Sequence, residues 1–172
     1  MPYQTPLNEC STLSVSMVAN FSRQLLEAVQ FLHGQKIAHC DLKPENVVVD
    51  LHMAQLFIID YDLAMLVDGQ NELVHGYVGT DGFTAPEVGD DWYYSPITAD
   101  LWAVGRVLEF LLSLSNDPKS PKLKPLRSMS GRLLDDDAAQ RPGADKALDI
   151  LSRAKQLPFR DSSEFQQLDS SC

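Results

Sequence analysis

The stretch TADLWAVGRVLEFLLSL (98–114) constrains the fold of this chain more than any other. It is apolar nearly all round, with Asp100, Arg106 and Glu109 its only charged residues. A helix with no wet face cannot lie on a surface, so the pattern predicts a helix buried at the centre of the domain. The remainder must wrap it. With 172 residues, 44% of them hydrophobic, there is material for one domain with a real core.

The wrapping elements follow from periodicity. SVSMVANFSRQLLEAVQFLHG (14–34) places Val18, Phe21, Leu25, Ala28, Val29 and Leu32 at a helical repeat with one wet face. Ser14 or Ser16 can cap its start and Gly34 its end. KIAH (36–39) is too short for more than a strand fragment. NVVVD (46–50) and QLFIID (55–60), split by LHMA, predict a small hairpin. Residues 60–97 are rich in Gly and Pro with weak periodicity, which predicts a long ordered loop. SNDPKSPKLKPL (115–126) reads as a surface connection. RSMSGRLL (127–134) and GADKALDILSRAKQL (143–157) read as two further helices, followed by a disordered tail from Pro158.

Net charge is −10 and unevenly spread. No Lys or Arg occurs between Lys43 and Arg106, a span carrying Asp60, Asp62, Asp81, Asp90, Asp91 and further acids. Such a field repels nucleic acid and anionic membrane, and favours divalent cations or basic peptides. Cys10, Cys40 and Cys172 are odd in number and widely spaced, so neither a disulfide framework nor a zinc cluster is expected. No basic, apolar leader follows Met1, and the apolar runs fall well short of the ~20 residues of a membrane span. The expectation is an intracellular protein, cytoplasmic or nuclear.

HCDLKPEN (39–46) concentrates chemistry in the loop between the first helix and the hairpin. A carboxylate at Asp41 could accept a hydroxyl proton, and Lys43 could neutralise a phosphate. The amide oxygen of Asn46 suits a hard cation. The second hairpin strand ends in Asp60, which the hairpin returns towards the same loop. Two acids, an amide and a lysine around one point are the parts for metal-assisted phosphoryl transfer.

These stretches carry a resemblance. The chain is similar to the C-terminal lobe of eukaryotic protein kinases, with a serine/threonine-like catalytic loop in HCDLKPEN. IIDYDLA (58–64) resembles the metal-binding segment and GTDGFTAPE (79–87) the end of the activation segment. DLWAVG (100–105) resembles the central helix, and DDDAAQRPGADKAL (135–148) the segment with the late arginine. The resemblance implies an α+β, mainly α-helical lobe over residues 1–157 with a small β-hairpin beside the catalytic loop, then the tail at 158–172. It implies transfer of the ATP γ-phosphate to a protein hydroxyl with Mg2+, if an N-terminal lobe completes the site. Asp41 would be the catalytic base and Lys43 would steady the phosphoryl group. Lys43, Glu45, Asn46 and Asp60 would face the cofactor. Asn46 and Asp60 would hold metal, with Asp62 a further candidate. Thr80 would line the substrate position. His39, Glu87, Asp100 and Arg141 would be scaffold: Glu87 paired with Arg141, Asp100 holding the loop backbone, His39 packed beneath it.

Departures from the pattern qualify these roles. Cys40 stands where many members carry an arginine that meets a phosphate on the activation segment. Between Asp60 and Glu87 there is no serine, and the only hydroxyls are Tyr61, Tyr77, Thr80 and Thr84. Both halves of that switch are therefore expected to be missing. Asp62 replaces a glycine, which predicts backbone strain there. It also predicts a cluster of Asp41, Asp60 and Asp62 that repels itself until a divalent ion binds. The interval from Asp100 to Arg141 is short for a substrate-docking helix. MPYQTPL resembles the hinge between the lobes, with no glycine-rich loop or strand lysine before it, so a missing nucleotide-clamping lobe is expected. The alternative function is a catalytically inactive, pseudokinase-like protein-interaction module, or a truncated remnant. Partners are then a protein substrate or another protein, with self-association through the exposed lobe interface.

Overall fold

The computed structural model describes residues 4–69 and 71–154, so the tail expected from Pro158 and the domain boundary at 157 lie outside the described residues. Four helices carry the fold: α1 (Val15–Gly34), α2 (Pro96–Ser113), α3 (Lys124–Leu133) and α4 (Ala144–Ser152). Helix α2 packs against α1 and α3, and α4 closes on α1 and α3. Ile97, Leu101, Val104, Val107, Leu108 and Leu111 of α2 are all buried, as its sequence predicts. Leu101, Val104, Val107, Leu108 and Leu111 meet Phe21, Leu25 and Val29 of α1 and Leu126, Met129 and Leu133 of α3 in one core, while Ile97 packs with Ala38 and Val67 in a smaller cluster.

Helix α1 starts where its hydroxyls predict. The Met17 N–H donates to Ser14 Oγ at 3.2 Å, which satisfies one of the first-turn donors. Gly34 is its last residue, but the left-handed turn out of the helix falls on Lys36, at φ 62°. Helix α2 begins with Pro96, whose missing N–H costs nothing in a first turn.

A three-stranded antiparallel sheet lies over α1. Its order is β1 (Gln4–Pro6), β3 (Val47–Asp50), β4 (Gln55–Ile58), with Val48 opposite Phe57 and Thr5 opposite Val49. The hairpin β3–β4 is the predicted one. Val47, Val49, Leu56 and Ile58 enter the core, while Phe57 is 39% exposed on the outer face. Polar groups of α1 serve the turn: Asn20 and Gln24 donate to the Ala54 carbonyl at 3.0 and 2.8 Å, and Gln24 Oε1 accepts from Leu56 N at 2.9 Å.

The long Gly/Pro-rich loop is ordered by two short ladders. Strand β2 (Ile37–Ala38) pairs with β5 (Met65–Leu66), and β6 (Val74–His75) pairs with β7 (Tyr93–Tyr94). The connection read over 115–126 is a correction. Helix α3 already starts at Lys124 after a single 3-10 turn over Pro121–Leu123, and Leu123 and Leu126 are fully buried. Pro125 fits the first turn of α3, where no intrahelical donor is needed. Among the described residues no helix is long and apolar enough to cross a membrane.

Candidate active site

The loop 39–46 is held from below by α2. The carboxylate of Asp100, itself 2% exposed, accepts from His39 N at 2.7 Å and from Cys40 N at 2.8 Å. The Nε2 of His33, at the end of α1, lies 3.1 Å from the same carboxylate. These bonds fix Cys40 at φ 65°, a left-handed geometry that a non-glycine residue adopts only under such support. Burial, and next the charge of Asp100, push the Cys40 thiol up to about 12, so it stays protonated near neutrality and is no nucleophile.

His39 is fully buried under the loop. Its Nδ1 accepts from Asp41 N at 3.3 Å, so Nε2 carries the proton and donates to Ile59 O at 3.1 Å. The imidazole thus ties the loop to the chain leaving β4. Its ring packs against Tyr61, with centroids 4.9 Å apart.

On this base the candidate side chains converge. The Thr80 hydroxyl donates to Asp41 Oδ1 at 2.7 Å. Lys43 Nζ donates to Asp41 Oδ2 at 2.7 Å and to Thr80 Oγ1 at 2.9 Å. Asn46 Nδ2 donates to Asp41 O at 2.9 Å and to Asp41 Oδ2 at 3.1 Å. Asp41 is 8% exposed. Its carboxylate meets three donors, against roughly four lone-pair positions on an ionised carboxylate, so about one remains for an incoming hydroxyl. Gly79, at φ 120°, brings Thr80 this close. A Cβ there would stand 3.0 Å from Thr84 Oγ1 and 3.2 Å from the Cys40 carbonyl.

Asp60 is reached differently. Ile59 N donates to Asn46 O at 2.9 Å, so the backbone entering Asp60 is bonded to the loop. Its side chain is exposed, with no hydrogen-bond partner among the described residues, and Glu45 and Asp62 are exposed as well. Two sequence expectations need correcting. The left-handed backbone falls on Asp60, at φ 64°, and not on Asp62. Among the described residues no three His, Cys, Asp or Glu side chains gather to hold a metal, so Asp41, Asp60 and Asp62 do not form a self-repelling cluster. Asp41 is already compensated by its three donors.

Glu87 and Arg141 form a bidentate pair at 2.5 and 2.8 Å. Arg141 also donates to Thr98 O and Asp135 O, both at 2.9 Å, and lies 5.1 Å over the Trp102 ring. The pair locks the end of the Gly/Pro-rich loop onto α2. Between loop and helix remains a cavity of about 20 Å³, room for one water.

Two participants were not legible in the sequence. His33 sits on a helix end where a polar residue reads as solvated, and only the fold brings Asp100 to it. Tyr77 lies in an aperiodic loop, yet its hydroxyl donates to Asp81 at 2.6 Å and lies 3.3 Å from Thr84 Oγ1.

A family model described as the protein kinase domain matches residues 3–122. The chain is 38% identical over 110 residues to CBL-interacting serine/threonine-protein kinase 15 of Arabidopsis thaliana, covering 62% of this chain and 26% of that protein. It is 43% identical over 94 residues to CBL-interacting protein kinase 16 of Oryza sativa subsp. japonica, covering 54% of this chain and 20% of that protein. The chain therefore spans about a quarter or less of the curated relatives it matches. The family match takes in the loop 39–46, Asp60, Thr80 and α2, and stops before α3, so the place of Arg141 rests on geometry.

Proposed function

The chain belongs to the protein kinase family, and from that premise we propose that it is the C-terminal lobe of a serine/threonine protein kinase. A complete active site of this kind transfers the ATP γ-phosphate to a protein hydroxyl. One observation carries the reading: Asp41 Oδ1 and Oδ2 gather Thr80, Lys43 and Asn46 while about one acceptor position stays open.

In this reading Asp41 orients the acceptor hydroxyl and takes its proton as the oxygen attacks phosphorus. Lys43, bonded to both Asp41 and Thr80, stands where it offsets charge on the transferring phosphoryl group. Thr80 fixes the segment against which the substrate lies. Asn46 and Asp60 are the residues to hold Mg2+, with Asp62 a further candidate, and Glu45 lies on the cofactor side. The donor set fits. Asn46 commits its amide nitrogen to Asp41, and among the described residues its Oδ1 has no hydrogen-bond partner and the Asp60 carboxylate is uncommitted. Magnesium binds through one or two protein oxygens together with nucleotide phosphates, which suits a site lacking a carboxylate cage. When bound with ATP, it neutralises charge on the phosphates. His39, Asp100, Glu87 and Arg141 support the loop and the segment without touching substrate.

A second reading is favoured by a separate observation. Phe57 and Ile59, on the outer side of β4 and its extension, are 39% and 40% exposed. A protein-interaction module without catalysis would use such a face, and so would a nucleotide-clamping lobe completing the enzyme. The deciding experiment measures ATP-dependent phosphate transfer to a serine-containing protein by the longest form its gene encodes. Transfer that disappears in Asp41→Asn is the expected result. No transfer, together with no rise in melting temperature on adding Mg2+ and ATP, would leave the interaction module.

A further inference from the structure

We propose that the exposed face of helix α3, together with the 3-10 turn that leads into it, is a docking surface for an acidic helical segment of a partner protein. None of its residues belongs to the candidate active site, so it stands or falls apart from the kinase reading.

Residues 119–132 hold Lys119, Lys122, Lys124, Arg127 and Arg132 with no Asp or Glu among them, in a chain whose net charge is −10. Arg127 is used internally. Its guanidinium donates to Pro118 O at 2.7 Å and to Ser120 O at 2.9 Å, which holds the turn against α3. The side chains of Lys119, Lys122, Lys124 and Arg132 form no ion pair or hydrogen bond among the described residues, and all four residues are exposed. Leu126, Met129, Ser130 and Leu133 turn into the core, so the helical repeat sets Lys124, Ser128, Gly131 and Arg132 together on the opposite face. Lys124 and Arg132 stand about 12 Å apart along the axis, at a rise of about 1.5 Å per residue.

Two features of this face oppose the stability of the helix, and nothing in the fold offsets them. Lys122 and Lys124 sit at the positive end of the α3 dipole, where acids are favoured, and no acid occupies its first turn. Gly131 weakens a helix relative to alanine, yet its φ is not positive and a Cβ there would meet nothing within 4 Å. Neither backbone conformation nor packing requires a glycine at 131. Local rules broken together on one face, without compensation inside the chain, point to a demand from outside it. A partner carrying carboxylates neutralises the uncompensated cations, and the small residues Ser128 and Gly131 let its backbone come close between them.

The borders of the stripe select the occupant. Asp117 lies before it and Asp135, Asp136 and Asp137 directly after it. Asp135 Oδ1 accepts from Asp137 N and Asp137 Oδ1 from Ala139 N, both at 3.0 Å, so Asp135 and Asp137 serve their own turn rather than Arg132. A duplex or an anionic membrane extends past the stripe and meets these acids and the rest of an acidic chain. A short helix with glutamates at i, i+4 and i+8 matches the spacing of the stripe and ends before the flanking acids.

The test is binding of probe peptides to the whole chain without nucleotide, followed by fluorescence anisotropy at low and high salt. A helical peptide with glutamates at i, i+4 and i+8 is expected to bind and to weaken as salt rises, and its glutamine counterpart to bind at least about tenfold more weakly. Two variants separate docking from a structural role, since neither should lose stability while both lose affinity. Lys122→Glu/Lys124→Glu places acids at the positive end of the dipole, so the melting temperature should not fall while affinity falls at least about tenfold. Gly131→Gln meets open space and improves helix propensity, so the melting temperature should rise while the longer side chain loosens the peptide about fivefold. Equal binding of the two peptides, binding of neither, or unchanged affinity in either variant would overturn the proposal. So would tighter binding of phosphatidylserine vesicles or duplex DNA than of the glutamate peptide, or self-association that weakens with salt, which would assign the stripe to a second copy. Phosphate transfer through Asp41 is untouched by any of these results.

Discussion

Arg141 donates to Glu87, Thr98 and Asp135 from a side chain with no exposed surface, while the Glu87 side chain is 21% exposed. The two partners are therefore unequal. Removing the carboxylate leaves a buried guanidinium with only carbonyls and the Trp102 face, whereas removing Arg141 leaves an acid that can reach water. Breaking a buried pair costs about 3–5 kcal/mol, so Glu87→Gln should lose close to that range in urea unfolding, and Glu87→Gln/Arg141→Met should recover part of it. Cys40 offers a pH-dependent case. Below its ordinary pKa of 9.0 the thiol is protonated in both states and contributes nothing. As pH rises from 9.0 towards about 12, the unfolded chain loses this proton first, so folding stability falls. Cys10, Tyr61 and Tyr94 are raised by burial and act in the same direction. Unfolding midpoints followed above pH 9.0 should drop, and less steeply in Cys40→Ala. That Asp41, Lys43 and Asn46 belong together was legible from their spacing. That Asp60 and not Asp62 takes the left-handed backbone was not, because both positions carry the same residue type and only the fold separates them.

The elements were read well where one face is buried and poorly where tertiary pairing decides. Strands β3 and β4 announce themselves by β-branched runs around a turn, and α1 and α2 by their repeats. β1 has no alternation to find; Gln4–Pro6 is a strand only because the edge of β3 is there to pair with it. The start of α3 was hidden by Pro121, Pro125 and three lysines, which mark loops in composition although Leu123 and Leu126 are core. The α2–α3 contact yields a prediction opposed to simple propensity. Alanine normally improves a helix by about 1 kcal/mol over glycine. A Cβ on Gly105, however, would lie 2.8 Å from Leu134 Cγ and 3.1 Å from Leu133 Cβ. Overpacking of this kind costs about 1–3 kcal/mol, and the Leu133 contact involves an atom close to the backbone. Gly105→Ala should therefore destabilise by about 1 kcal/mol net, read as a lower urea midpoint with unchanged slope. A gain in stability would show that Leu134 swings aside freely.

For the molecule as a whole, the decisive balance is between its charge and its uncovered apolar face. Phe57, Ile59, Tyr61 and Leu63 are 39–46% exposed in the same stretch that follows the hairpin, while the chain carries a net charge of −10. The apolar face favours association and the charge opposes it. Salt screens the repulsion, with a Debye length of about 10 Å at 0.1 M and about 3 Å at 1 M, and leaves apolar burial in force. Association should therefore strengthen as salt rises, the opposite of what ion-pair contacts between copies would give. Sedimentation velocity across a concentration series at low and high salt reads this directly, and Phe57→Lys/Ile59→Lys should remain monomeric throughout. A parent chain that stays monomeric at high concentration and high salt would mean that this face tolerates water by itself. The interaction-module reading would then lose the observation that favours it, while the Asp41 site would be untouched. Magnesium provides the complementary control. Because no carboxylate cage gathers at Asp60 among the described residues, millimolar Mg2+ alone should scarcely raise the melting temperature, and a large rise would mean that Asp60 and Asp62 can close together on an ion without phosphates.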